Sequence, residues 1–163
     1  MPARLSAGIL LFRRRGDRLE VLLAHPGGPF FAGKDLDAWT IPKGEPGDDE
    51  GITDDALLAV ARREFEEETG HPAPAGAPIA LGSIVQRGGK AVQAWALAGD
   101  LDPESARSNT FEMEWPPRSG RRATFPEVDR VAWFHIDEAR MRIRAAQAPL
   151  LDRLESTLGD SRP

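Results

Sequence analysis

The sequence has no cysteine, which excludes disulfides, thiolate metal sites and cysteine nucleophiles together and leaves only oxygen or imidazole ligands for a metal. Long apolar runs are also missing. The early hydrophobic stretch from Ala7 to Phe12 is followed, not preceded, by Arg13, Arg14 and Arg15, the reverse of a secretory signal. No segment approaches membrane-spanning length, so a cytoplasmic protein with no membrane association is expected. There is no excess of positive charge either. A formal net charge of -5 argues against a nucleic-acid binder, because phosphate backbones are gripped by basic surfaces. No repeat, low-complexity tract or linker divides the chain, and 163 residues with 40% apolar and 29% charged content suit one core better than two. A single domain over residues 1–163 is expected.

What the chain does have is concentrated acid. Glu45, Asp48, Asp49, Glu50, Asp54, Asp55, Glu64, Glu66, Glu67 and Glu68 fall in one short stretch, which repels itself unless cations or solvent compensate. Around it, Ser6 to Phe12 and Leu19 to Ala24 read as a hairpin turning at Gly16-Asp17. His25 to Phe31 is a Gly/Pro-rich loop, and Ala38 to Ile41 a short strand closed by Pro42. Thr53 is a predicted N-cap with Asp54 and Asp55 in the first turn, and Gly70 ends that helix. Ile79 to Gln86 and Ala91 to Ala98 pair around Arg87-Gly88-Gly89-Lys90. Thr110 to Trp115 and Arg130 to Phe134 are further strands, and the chain is helical from Asp137 with an interruption near Pro149. The pattern predicts a mixed sheet packed between helices, an α/β class.

On the central helix Leu57, Leu58, Ala61 and Phe65 form a stripe that must face the sheet. Stepping about 100° per residue from Glu64 places Glu68 about 40° to one side and Glu67 about 60° to the other, so the three share an edge beside the stripe. Glu66 points elsewhere. A run of Glu on a helix is usually a solvated face, but partial burial of like charges calls for something positive. Mg²⁺ or Mn²⁺ suits these oxygens best.

Gly44, Glu50, Arg63, Glu64, Phe65, Glu67, Glu68 and Gly70 together resemble the Nudix box, Gly-x5-Glu-x7-Arg-Glu-apolar-x-Glu-Glu-x-Gly-apolar. The resemblance extends more weakly from Arg4 to Phe134. It implies the Nudix fold, an α/β/α sandwich around a mixed sheet, and metal-dependent hydrolysis of a diphosphate linkage in a nucleoside diphosphate derivative or dinucleoside polyphosphate. Glu64, Glu67 and Glu68 then look like metal ligands, with the Gly44 carbonyl a further one, and Arg63 like the partner that orients a catalytic carboxylate. Glu67 or Glu68 is also a possible base. The spacing departs from the pattern in one place: twelve residues separate Glu50 from Arg63 where the box has seven. Asp55 occupies the family register instead, and the loop before the helix is enlarged. His71 stands where the box ends on an apolar residue.

Families of this kind often place a general base outside the box. Glu127 is the candidate here, with Glu112 and Glu114 in reserve and a surface ion pair as the competing role. Lys43 and Arg87, with Lys90, are candidates for phosphate contacts. Phe30, Phe31 and Trp39 are candidates for stacking a base, with core packing the alternative. Arg118, Arg121 and Arg122 form a small basic patch. His25, His71 and His135 lack a zinc-like spacing and read as structural. The expected partner is a small nucleotide-type substrate; a catalytically weak nucleotide-binding or regulatory module is the alternative.

Overall fold

The predicted hairpin forms around Gly16, whose φ of 64° suits a tight turn: β1 (Leu5–Arg15) returns as β2 (Arg18–Pro26). Strand β1 is buried without a break from Ser6 to Phe12, as a strand covered on both faces must be. Near its start it pairs antiparallel with β3 (Lys43–Gly44), and along its length parallel with β5 (Ala91–Ala98). With β4 (Ile79–Val85) and β8 (Val128–His135) the order is β4-β5-β1-β2-β8, a mixed sheet. The computed structural model describes residues 4–159, and the outermost ends of the expected 1–163 domain lie outside the described residues.

Alternate residues of β1 feed two cores. Ala7, Ile9 and Leu11, with Leu22 and Ala24 of β2, meet Leu57, Val60, Ala61 and Phe65 of α1 (Asp54–Thr69). Leu10 and Phe12, with Val21 and Leu23, meet Ile136 and Ala139 of α2 (Ile136–Arg142) and Leu150, Leu151 and Leu154 of α3 (Ala148–Leu158). This is the α/β/α sandwich the sequence implies. Among the described residues no helix is long and apolar enough to cross a membrane.

Helix α1 begins and ends where its sequence says. The Thr53 side chain accepts a hydrogen bond from the Ala56 N–H, and Gly70 takes the left-handed conformation with φ 77°.

Three local expectations need correction. The strand expected over Ala38 to Ile41 is reduced to single bridges from Thr40 to Ala24 and from Trp39 to Ile143; regular pairing falls on Lys43 and Gly44. Pro42 between them has no N–H to continue a ladder. Pro149 does not interrupt the last helix. The break lies at Ile143–Gln147, which includes a 3-10 turn at Ala145–Gln147, and Pro149 sits in the first turn of α3, where a missing N–H is harmless. Finally, the strand expected over Thr110 to Trp115 does not stand alone. Strand β7 (Arg122–Pro126) pairs with β6 (Thr110–Glu114) as a separate hairpin, aligning Phe111 with Phe125.

Candidate active site

Fully buried Phe65 fixes the rotation of α1, and with it the carboxylate edge. Glu66 is exposed, as its angular position requires, while Glu64, Glu67 and Glu68 lie at the rim of the core. The antiparallel pairing of β3 with β1 brings Lys43 and Gly44 against this edge. Gly44 approaches so closely that a Cβ there would lie 2.1 Å from the Glu64 carboxyl carbon. Glu68 accepts a hydrogen bond from the Lys43 backbone N–H.

Crowding shows in the ionisation of these groups. Burial, then the neighbouring charges of Glu64 and Glu127, push the Glu68 carboxyl up to about 9, against the pull of the Lys43 ammonium. Glu64 is also raised, first by burial and then by Glu67, although Arg63 opposes this. Burial likewise pushes the Lys43 ammonium down. A carboxyl raised in the folded state contributes stability that is complete below its unfolded value near 4.5 and fades as pH climbs through about 9. The metal-free protein is therefore expected to lose thermal stability from about pH 5 to about pH 9. Glu68→Gln should flatten that slope in melting curves; an unchanged slope would contradict the assignment.

Arg63 organises the edge. Its Nε and Nη2 donate to the two Glu50 oxygens at 2.9 and 2.7 Å, and its Nη1 donates to Glu64 and to Glu67, both at 3.0 Å. The fork-to-fork pair holds Glu50 below the usual carboxylate range and raises Arg63. The enlarged loop turns back through the Gly47 N–H, which donates to Glu50 at 2.7 Å. Glu50, not Asp55, therefore meets Arg63, and Asp55 is exposed in the first turn of α1. Among the described residues no three His, Asp or Glu side chains converge as a preformed metal cage; Arg63 stands between Glu64 and Glu67.

The base of the β6–β7 hairpin closes one side. Asn109 donates its N–H to the Glu67 carbonyl at 2.8 Å, Glu127 donates to the Asn109 carbonyl at 2.9 Å, and Gly27 donates to the Glu127 carbonyl at 2.9 Å. The Glu127 side chain is exposed and near enough to Glu68 to raise it. Glu112 is exposed, whereas Glu114 accepts the Arg118 and Gly120 N–H groups and is engaged in the hairpin turn. Beside Glu68 opens a cleft of about 180 Å³ walled by Arg107, Ser108, Val128 and Arg130. A wider groove of about 700 Å³, at Arg13, Arg15 and Trp133, lies toward the opposite end of β1 from Gly44.

The other candidates divide. Trp39 is buried between His25 and Phe134, which is core packing. Phe30 is 59% exposed and meets Trp115 edge-to-face at 5.6 Å. Arg87 and Lys90 lie in the exposed β4–β5 turn, and no described contact joins Arg87 to the carboxylates. His25 is buried and bridges Asp129 and the Lys34 carbonyl, while His71 bonds Ser105. Sequence reasoning missed Asn109 and Arg144. Their positions depend on the hairpin base and on the turn before α3, and neither leaves a local signal.

Comparison with known proteins agrees with this geometry. Residues 2–154 match the family described as NUDIX domain. The fold resembles the NUDIX domain of Shewanella oneidensis NrtR complexed with ADP ribose, at 17% identity and a TM-score of 0.65, covering 97% of this chain and 90% of that one. It also resembles a C. elegans Ap4A hydrolase binary complex, at 19% identity and a TM-score of 0.66, covering 96% and 99%. A MutT protein from Methanosarcina mazei Go1 aligns at 18% identity and a TM-score of 0.60, covering 96% of each chain. No curated protein matches the sequence. At these identities the structures share a fold, while the match across nearly the whole sequence shows that the chain belongs to the Nudix family.

Proposed function

We propose that the chain is a divalent-metal-dependent pyrophosphohydrolase that cleaves a diphosphate linkage in a nucleoside diphosphate derivative or dinucleoside polyphosphate. The observation that carries this reading is the half-buried pair of Glu64, pressed against Gly44, and Glu68, held by the neighbouring Lys43 N–H, both with raised carboxyl pKa values. Carboxyl groups that repel each other in a desolvated cradle offer hard oxygen donors to a small dication, which would relieve the repulsion. Glu64, Glu67, Glu68 and the Gly44 carbonyl are the residues that would hold Mg²⁺ or Mn²⁺. When bound, the ion neutralises the diphosphate and makes a water more acidic.

The remaining work falls to the protein's own groups. Arg63, anchored on Glu50, keeps Glu64 and Glu67 in place. Lys43, beside Glu68, supplies positive charge for a phosphate oxygen. Glu127, exposed and near enough to Glu68 for its charge to be felt there, is the group that would take the proton from the attacking water. One water adds across a P–O–P bridge: its hydroxyl goes to phosphorus and its proton passes by way of Glu127 to the departing phosphate, so two phosphorylated fragments result. Phe30, exposed and set edge-to-face against Trp115, offers a ring to a base or sugar.

The test is hydrolysis of ADP-ribose and diadenosine tetraphosphate with Mg²⁺ or Mn²⁺. Phosphate-ester products that disappear with EDTA and return with added metal are expected. Binding without turnover across such substrates would favour a regulatory module instead.

A further inference from the structure

The same side of the molecule gathers cations as well as carboxylates. Gln147, fully buried, donates from Nε2 to Thr40 Oγ1 and to Gln86 Oε1, both at 2.8 Å, and accepts the Ile41 N–H at 3.0 Å. One side chain thus ties three segments together: the approach to Lys43, the β4–β5 turn that carries Lys90, and the turn before α3 that carries Arg144. Lys43 feels the positive charges of both Arg144 and Lys90. Arg144 lies over the Phe31 ring at 5.3 Å, and Lys34 reaches the same ring at 5.6 Å. Lys43 has Glu68 and Glu45 nearby, but among the described residues no carboxylate pairs with Arg144, Lys90 or Lys34. By contrast, Arg63, Arg140 and Arg142 are each bound to carboxylates.

Like charges held together by a buried junction call for a counter-charge, just as the carboxylate edge does. An anion leaving that edge past Lys43 enters this cationic group. We infer that Lys43, Lys90 and Arg144 form an anion-binding rim for phosphate groups beyond the scissile diphosphate, so that substrates with a chain of three or more phosphates are preferred. The inference rests on the hydrolase reading and deepens it. Lys34, which approaches the same Phe31 ring as Arg144, adds a further cation beside the rim.

The experiment compares kcat/KM for diadenosine tetraphosphate with that for ADP-ribose, and titrates inorganic tripolyphosphate by calorimetry. Wild-type protein, Lys90→Gln/Arg144→Gln, and the charge-matched control Arg15→Gln/Arg18→Gln at the far end of β1 are used, each with an unchanged melting profile as the entry condition. The rim double variant is expected to lower the tetraphosphate-to-ADP-ribose ratio by about tenfold or more and to weaken tripolyphosphate binding similarly, as lost hydrogen bonds to charged groups do. The control should leave both unchanged. An unchanged ratio and unchanged tripolyphosphate binding in the rim variant would overturn the inference while leaving the hydrolase reading intact. If wild-type protein cleaves neither nucleotide with any metal, the hydrolase reading fails, and tripolyphosphate binding alone still decides whether the rim exists.

Discussion

Glu68→Gln is expected to lower turnover by about 10³-fold, roughly 4 kcal/mol of transition-state stabilisation, with the fold intact. Glutamine keeps the shape of the side chain and can still accept the Lys43 N–H, so packing beneath α1 has no reason to change. What disappears is the negative charge that becomes available when a dication displaces the proton from a carboxyl pushed up to about 9. Removing an ionisable group from a desolvated position should leave the metal-free variant at least as stable as wild type at alkaline pH. Glu67→Gln should also reduce turnover by orders of magnitude, since it removes an Arg63-held carboxylate from the same edge. Steady-state kinetics with saturating Mg²⁺, set beside melting curves, separate loss of chemistry from loss of structure. Normal turnover in both variants would remove the site assignment.

Gly44→Ala should be nearly as damaging to activity for a different reason. The new methyl would fall 2.1 Å from the Glu64 carboxyl carbon and 2.2 and 2.3 Å from its oxygens. Those atoms are the end of a flexible side chain, so the collision is relieved by swinging Glu64 aside, at about 1 kcal/mol or less of stability. The displaced carboxylate can no longer sit beside the Gly44 carbonyl, and turnover should fall by about 100-fold or more, in line with the sensitivity of catalysis to misplacement of about 1 Å. Gly27 makes the useful contrast. A Cβ there would meet the Pro126 carbonyl oxygen at 1.9 Å, a backbone atom that cannot rotate away, so the same substitution at Gly27 acts on packing of the hairpin base. Kinetics and melting of Gly44→Ala measured together decide the matter; full activity would show that Glu64 is not needed where it stands.

How much of this was legible beforehand depends on the range of the interaction. The rotation of α1 follows from Leu57, Ala61 and Phe65, and the caps at Thr53 and Gly70 are local chemistry. The two-layer burial of β1 is likewise visible in its unbroken apolar run. Whether Glu50 or Asp55 serves Arg63 was not legible, because the enlarged loop had to fold back through the Gly47 N–H before Glu50, thirteen positions ahead of Arg63, could reach it. The β7 strand was hidden because its residues alternate over only five positions and its partner lies across a Pro/Gly turn. Gln147 was unreadable for a stronger reason: its partners Thr40, Ile41 and Gln86 are all more than sixty residues away, at separations of 107, 106 and 61.

The central claim is that a divalent ion neutralises the carboxylates beside Gly44. Crystals soaked with Mn²⁺ and a non-hydrolysable nucleotide, measured at the manganese absorption edge, test it most directly. An anomalous peak within coordination distance of Glu64 and Glu68 is the predicted result. Ordered carboxylates with no manganese between them and the nucleotide, at concentrations that support catalysis, would contradict the account.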